Sequence, residues 1–128
     1  LQPAVSAWSA TELDALGRTE EIEIAALRAD GTLRKPVIIW IARLDDGLYV
    51  RSAYGRTAAW YRGTLARHEG RIKAGGVEKD VTFEAAELAL HDAIDTAFRT
   101  KYRAHPVQYV NMVLTEEARS TTLRLNPR

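Results

Sequence analysis

The sequence predicts an α+β fold, mainly β, in which six short antiparallel strands form one barrel. Two observations favour this fold: apolar and polar residues alternate with a period of two in several segments, and Asp-Gly and Gly-Gly dipeptides lie between those segments. Short strands joined by tight turns favour a barrel, because closure leaves few exposed edges. The predicted order is α-β-β-β-α-β-β-α-β, and residues 1–128 are expected to form a single domain.

The first predicted element is a helix over residues 10–16. Ser9 can cap its first turn, and Glu12, three positions later, completes a capping box. Residues 20–28 follow and alternate between apolar and polar side chains, which is typical of a half-buried strand. The chain therefore enters the sheet directly after a short helix that packs on the core.

The next two strands are expected to complete a three-stranded meander. Asp30-Gly31 favours a tight hairpin turn. Residues 37–42 are apolar at every position, which predicts one strand covered on both faces and places Trp40 in the core. Residues 48–53 follow the Asp45-Asp46-Gly47 turn as the third strand.

The second half of the chain alternates between helical and extended patterns. Helical spacing is present in two segments, residues 77–84 alternate with a period of two, and the Gly75-Gly76 turn separates that strand from a short extended segment before it. The predicted helices cover residues 57–68 and 86–103, and the predicted strands cover residues 72–74, 77–84 and 121–125. Residues 107–118 stay ambiguous, with a short helix as one interpretation.

Composition excludes several functional classes. The chain has no cysteine, which excludes disulfides, cysteine-ligated zinc and a thiol nucleophile. No apolar run approaches the length of a membrane span, and no signal peptide is visible, so a cytoplasmic protein without a membrane partner is expected. The net charge of +1 does not favour a polyanion partner.

The net charge nevertheless conceals a basic middle segment, residues 34–73. This segment has nine lysines and arginines against three acids, so it carries +6 while the remainder of the chain carries −5. Such a segment can mark an anion site, or it can consist of solvated side chains beside strands and a helix. Nucleic-acid binding is disfavoured, because the basic residues are scattered and no RNA- or DNA-binding signature accompanies them.

Known catalytic motifs are missing from the sequence. There is no Gly-x-Ser-x-Gly elbow, no GxGxxG and no Walker motif, so catalytic residues cannot be assigned. His91 and Asp95 share one face of the predicted long helix, but no third ligand is evident. We therefore interpret them as a pair on the helix surface and expect no metal site.

Three motifs carry a family resemblance: RKPV at residues 34–37, DGLYVRS at 46–52, and Gly55 followed by Trp60-Tyr61-Arg62. With them, the chain resembles the FMN-binding split-barrel superfamily, which includes pyridoxamine-phosphate-oxidase-like proteins and deazaflavin-dependent nitroreductases. Among these it looks like one of the small bacterial families of unknown function. The likeness extends over nearly the whole chain and is more specific for the fold than for a ligand.

The resemblance implies a site for the phosphate of a cofactor. In such barrels a basic pair precedes the second strand, polar or basic residues lie on the third, and the following helix begins with aromatic and basic residues. By position, the expected cofactor-binding residues are Arg34, Lys35, Arg51, Ser52, Trp60, Tyr61 and Arg62. Arginine forks, a serine hydroxyl and a helix N-terminus are suitable donors to a phosphate.

The chain also departs from the deazaflavin-binding pattern. It lacks a Thr-Gly-Arg-x-Ser-Gly run before the second strand, and Gly63 stands where relatives often carry Asn. The resemblance implies FMN or a deazaflavin as cofactor, an oxidoreductase that transfers hydride to a small organic acceptor, and a homodimer. The alternative is a non-catalytic module on the same fold, without either cofactor, that binds a phosphorylated or anionic small molecule.

Overall fold

A computed structural model describes residues 7–128 and confirms an α+β protein built on an antiparallel barrel. Over this range the helices are α1 (Ala10–Arg18), α2 (Ala59–Arg67), α3 (His91–Lys101), α4 (Val107–Met112) and α5 (Glu116–Arg119). The strands are β1 (Ile22–Ala26), β2 (Val37–Ile39), β3 (Ile41–Leu44), β4 (Gly47–Val50), β5 (Glu69–Ala74), β6 (Val77–Ala85) and β7 (Leu123–Pro127). The described residues thus form seven strands, one more than expected.

The sheet is continuous and every pairing in it is antiparallel. Its strand order is β2-β1-β5-β6-β7-β4-β3. The two edge strands, β2 and β3, are consecutive in the chain and are separated by Trp40 alone. Because one residue joins the two edges, the sheet must curl until they meet, and it forms a nearly closed barrel.

The additional strand arises where a single strand covered on both faces was predicted over residues 37–42. That prediction was wrong: β2 pairs with β1 and β3 pairs with β4, and the chain changes partner at Trp40. β2 is only partly covered, and its Ile38 is 63% exposed. A continuous apolar run does not reveal the break, because the residues on both sides of Trp40 are apolar and hydrophobic periodicity does not show a change of pairing partner.

Side chains alternate between two hydrophobic clusters on the two faces of the curved sheet. On β4, Leu48 and Val50 join the inner cluster of the barrel, whereas Tyr49 joins an outer cluster with α3. The inner cluster also takes Leu13 and Leu16 of α1, as expected for a helix that packs on the core. The alternation is the normal consequence of the two-residue period of a strand.

Capping side chains begin two of the helices, Ser9 for α1 and Thr115 for α5, whereas α2, α3 and α4 begin without one. Ser9 and Glu12 form the reciprocal capping box that the sequence predicts for α1. The long predicted helix over residues 86–103 is shorter, because a 3-10 turn at Leu88–Leu90 precedes α3. Residues 107–118, which were ambiguous, contain α4 and α5. None of the helices in residues 7–128 has the length and hydropathy of a membrane span.

Candidate functional site

A cavity of about 460 Å³, the apolar groove, lies where the two edges of the barrel meet. Its walls come from β2, the β2–β3 junction, the start of α2 and α4. The aromatic and aliphatic residues that define it are Val37, Ile39, Trp40, Trp60, Tyr109 and Met112. Its volume and apolar lining are in the normal range for small-molecule and cofactor sites.

Trp40 forms one wall of the groove and is held in place by aromatic stacking. Its ring is parallel to that of Tyr102, with centroids 3.9 Å apart. The Tyr102 hydroxyl donates to the Glu20 carbonyl at 2.7 Å and accepts from the Ile41 N–H at 3.1 Å. Trp40 was expected in the core, but it is only partly buried and lines the groove. It is a site residue that the sequence interpretation missed.

Trp60 and Tyr61, at the start of α2, are both predicted site residues. Their rings meet edge to face, with centroids 6.2 Å apart. Both pack against the inner cluster of the barrel, but only Trp60 also lines the groove. Trp60 therefore both packs on the barrel and lines the groove, and the ring of Tyr61 contacts it from within the fold.

A second cavity of about 440 Å³, the basic cavity, lies on the other side of α2. Its lining includes Arg28, Arg34, Ala59, Arg62, Gly63 and Ala66. Arg28 donates to the Thr32 hydroxyl and to the Leu33 carbonyl, so it holds the preceding turn. Within residues 7–128, the side chains of Arg34 and Arg62 have no ion pair and no hydrogen bond. Their guanidinium groups are available to an anion.

The N-terminus of α2 lies between the two cavities. Trp60 lines the groove, whereas Ala59 and Arg62 line the basic cavity. The cap residue is Ala58, which has no side-chain acceptor for the free N–H groups, and the first turn contains no acid. Unpaired N–H groups and the helix dipole favour a negative charge at this position.

Arg51 is completely buried at the end of β4. Its Nε donates to the Thr122 hydroxyl at 2.9 Å, and Nη1 donates to Asp95 at 2.5 Å. It also donates to the backbone carbonyls of Val113 and His91, at 2.9 and 3.2 Å. These four acceptors occupy the guanidinium from inside the protein. Arg51 is one of the residues that line the groove, but its donors are bound to Thr122 just before β7, to α3 and to the segment after α4.

The other two predicted residues line neither cavity. Lys35 is exposed. Ser52 is buried: its backbone N–H donates to the Thr121 hydroxyl at 2.8 Å, and its own hydroxyl has no partner within the described part of the chain. The structure thus brings Arg34 and Arg62 together, places Trp60 next to them, and leaves Arg51 and Ser52 inside the fold.

His91 and Asp95 were interpreted as a surface pair on a helix, and that interpretation was wrong. Both are buried, and Asp95 accepts from Arg51 and lies 3.3 Å from Arg119. Burial lowers the pKa of His91, and the positive charges of Arg51 and Arg119 lower it further. Burial also lowers the pKa of Arg51, against the opposing effect of Asp95. No group of metal-ligating side chains occurs in the described residues.

Comparison with protein families gives one match. A model of the family described as "Uncharacterized protein conserved in bacteria (DUF2255)" matches residues 12–125. None of the curated proteins matches the chain.

Several solved structures have a similar fold. An F420-H2-dependent reductase is 13% identical with a TM-score of 0.62, and the match covers 83% of this chain and 92% of that one. A FAD-binding protein from Mesorhizobium loti is 16% identical with a TM-score of 0.58, covering 98% and 94%. HutZ, the heme storage protein from Vibrio cholerae, is 10% identical with a TM-score of 0.62, covering 90% and 86%. At such identities the likeness shows the fold alone.

Proposed function

The chain belongs to this bacterial family, and we propose that it binds a flavin-type cofactor, FMN or a deazaflavin, across its two cavities. One observation carries the proposal: an aromatic groove and a cavity with two arginines that have no ion pair within residues 7–128 flank the same helix N-terminus. Flavin and deazaflavin cofactors combine a flat ring with an anionic tail. The similar folds of a FAD-binding protein and an F420-H2-dependent reductase are consistent with that class.

The groove fits the ring part of such a cofactor. Trp40 and Trp60 offer flat apolar surfaces, and Tyr109 adds an amphipathic ring to the lining. Glu21 is an acidic member of the lining, so the groove favours a neutral ring over an anionic group. These residues would bind and orient the ring and exclude water from one of its faces.

The basic cavity fits the phosphate part. Arg34 and Arg62 supply planar donor forks without a carboxylate partner in the described chain. The first N–H groups of α2 add further donors at the boundary with the groove. In this assignment Arg51 and Ser52 act inside the fold, and Arg34, Arg62 and Trp60 are the residues that contact the cofactor.

When bound, a flavin-type cofactor supplies hydride transfer, which fits an oxidoreductase acting on a small organic acceptor. The chain then contributes binding, orientation and exclusion of water, so a catalytic acid or base of its own is not required. The homodimer and the cytoplasmic location expected from the sequence stay predictions.

A second candidate function is a non-catalytic module that binds a phosphorylated or anionic small molecule. It is favoured by the basic cavity considered alone, because that cavity is lined by α2 and the segment between β1 and β2 and shares no lining residue with the groove. Such a module would bind pyrophosphate or a sugar phosphate but neither riboflavin nor FMN.

The proposed function is tested by titrating the protein with riboflavin, FMN and a deazaflavin while following tryptophan fluorescence. We expect saturable micromolar binding, with FMN bound more tightly than riboflavin. Trp60→Leu is expected to weaken riboflavin binding roughly 3- to 10-fold, because an aromatic contact contributes on the order of 1 kcal/mol. Leu65→Ala, on an exposed position of the same helix, is the matched control. Absence of binding to all three compounds would contradict the cofactor class and favour the second candidate.

A further inference from the structure

We propose that Gly63 is a positioning residue: it leaves a slot on α2 in which the side chain of Arg34 lies, so that the guanidinium enters the basic cavity. This inference rests on the proposed function, because it concerns the phosphate part of the same site. Gly63 is buried in the middle of α2, where glycine has no conformational requirement of its own.

A side chain at position 63 would collide with the present position of the Arg34 side chain. A Cβ atom at Gly63 would lie 2.7 Å from Cδ and 2.8 Å from Nε of Arg34. Carbon atoms in contact are normally about 3.5–4.0 Å apart, so the arginine stem would have to move. The atoms concerned are Cδ and Nε, and Nε belongs to the guanidinium itself, so their displacement moves the charged group.

The face of α2 is arranged around this slot. Ala59, Arg62, Gly63 and Ala66 follow the i, i+3, i+4, i+7 spacing of one helical face, and all four line the basic cavity. Three of them are small, and the fourth is the second arginine. The face is therefore shaped for a neighbouring side chain to lie across it rather than for close helix packing.

Arg34 depends on this slot for its direction. Its backbone N–H donates to the Ala26 carbonyl at 2.9 Å, which fixes the main chain beside β1. Its side chain has no hydrogen bond or ion pair within residues 7–128. The contact with Gly63 therefore constrains a guanidinium that is otherwise free to rotate into solvent.

The variant Gly63→Ala tests the proposal, because alanine favours the helix whereas the positioning role predicts weaker FMN binding. Gly63→Ala adds a better helix former, so a helix position without a positioning role would become more stable and bind as before. We expect Gly63→Ala to retain riboflavin affinity while FMN affinity falls about 10-fold, because a charge-assisted bond to the phosphate is lost. Gly17→Ala is the matched control: it makes the same change in α1, beside the stem of Arg43, away from both cavities.

A double-mutant cycle tests whether the effect of Gly63→Ala on FMN binding acts through the side chain of Arg34. In the Arg34→Ala background, Gly63→Ala is expected to leave FMN affinity unchanged, since the side chain it displaces is gone. An equal loss in both backgrounds, or an unchanged FMN-to-riboflavin ratio in Gly63→Ala itself, overturns the proposal. If Gly63→Ala does not fold but the double variant does, the clash is with Arg34 as proposed; if neither folds, the proposal is wrong.

Failure of the proposed function is distinguishable from failure of this inference. If neither riboflavin nor FMN binds, pyrophosphate replaces them as the probe, and thermal unfolding measures its binding. Pyrophosphate that raises the melting temperature of the wild type but not of Gly63→Ala supports the positioning role without a flavin. Pyrophosphate that raises both equally, or neither, overturns it.

Discussion

Arg51 and the pair Arg34 and Arg62 belong to the same basic segment but have opposite surroundings. Arg51 is fully buried and donates to four acceptors of its own chain, among them the carboxylate of Asp95. Arg34 and Arg62 line an open cavity and have no carboxylate partner in the described residues. One region uses an arginine to hold the fold, and the other leaves two arginines for an external anion.

The comparison of Arg51 with Arg34 and Arg62 shows that basic residues of one sequence segment do not all contribute their charge to the same surface of the folded protein. A buried guanidinium requires a counter-charge and full hydrogen bonding, because desolvation is expensive. Asp95 and three further oxygens meet that requirement for Arg51, so its charge is neutralised internally. The positive potential in the basic cavity therefore comes from other groups: Arg28, Arg34, Arg62 and the start of α2.

The largest expected effect is the loss of folding stability when the buried Arg51 is replaced. Arg51→Met should lower the free energy of unfolding by about 3–5 kcal/mol, because Asp95 is left buried beside only Arg119. Urea denaturation measures the change. Arg62→Met, the same substitution in the basic cavity, is the control and should change the free energy by less than about 0.5 kcal/mol. A loss below about 1 kcal/mol for Arg51→Met would contradict the assigned role.

A smaller and different effect is expected in the basic cavity. Arg34→Met combined with Arg62→Met should weaken FMN binding roughly 10- to 100-fold, because hydrogen bonds to a charged group contribute about 1.5–3 kcal/mol. Riboflavin affinity and the free energy of unfolding should stay nearly constant. Fluorescence titration of both compounds measures the ratio.

The control for that experiment is Lys35→Met, which removes an exposed positive charge adjacent to Arg34 but outside the cavity lining. It should change FMN affinity by no more than about twofold, since exposed charges are screened by water and salt. An effect equal to that of the arginine pair would mean that general charge attraction, rather than the cavity, binds the phosphate.

Much of the fold could be predicted from local patterns. The capping box at Ser9, the alternation in β1 and β6, and the Gly75-Gly76 turn are all short-range signals, and each element was found. The change of partner at Trp40 could not be predicted in this way, because it depends on barrel closure. Apolar residues continue across the break, and only the tertiary structure shows that the two halves belong to opposite edges of the sheet.

The candidate site was predictable only where ligand-facing residues are close in sequence to a recognisable motif. Arg34, Trp60 and Arg62 follow the motifs and line the cavities. Arg51 also matched by position, but the partner that makes it internal, Asp95, is 44 positions away along the chain. The role of Gly63 was missed for the same reason: a glycine signals a close approach without identifying the side chain that approaches.

The smallest expected effect is a pH dependence confined to the buried network. Because the pKa of His91 is lowered on folding, the unfolded chain binds a proton first as the pH falls. The stabilisation linked to neutral His91 is complete above about pH 6.5 and is lost as the pH falls through the lower folded-state pKa. His91→Gln should flatten this part of the stability curve, measured by urea denaturation between pH 7 and 5.

His68→Asn, at an exposed position with a left-handed backbone that asparagine tolerates, should leave the slope unchanged. An identical slope of unfolding free energy against pH in wild type and His91→Gln would show that groups other than His91 cause the acid destabilisation. It would also show that the network tolerates protonated His91 beside Arg51 and Arg119.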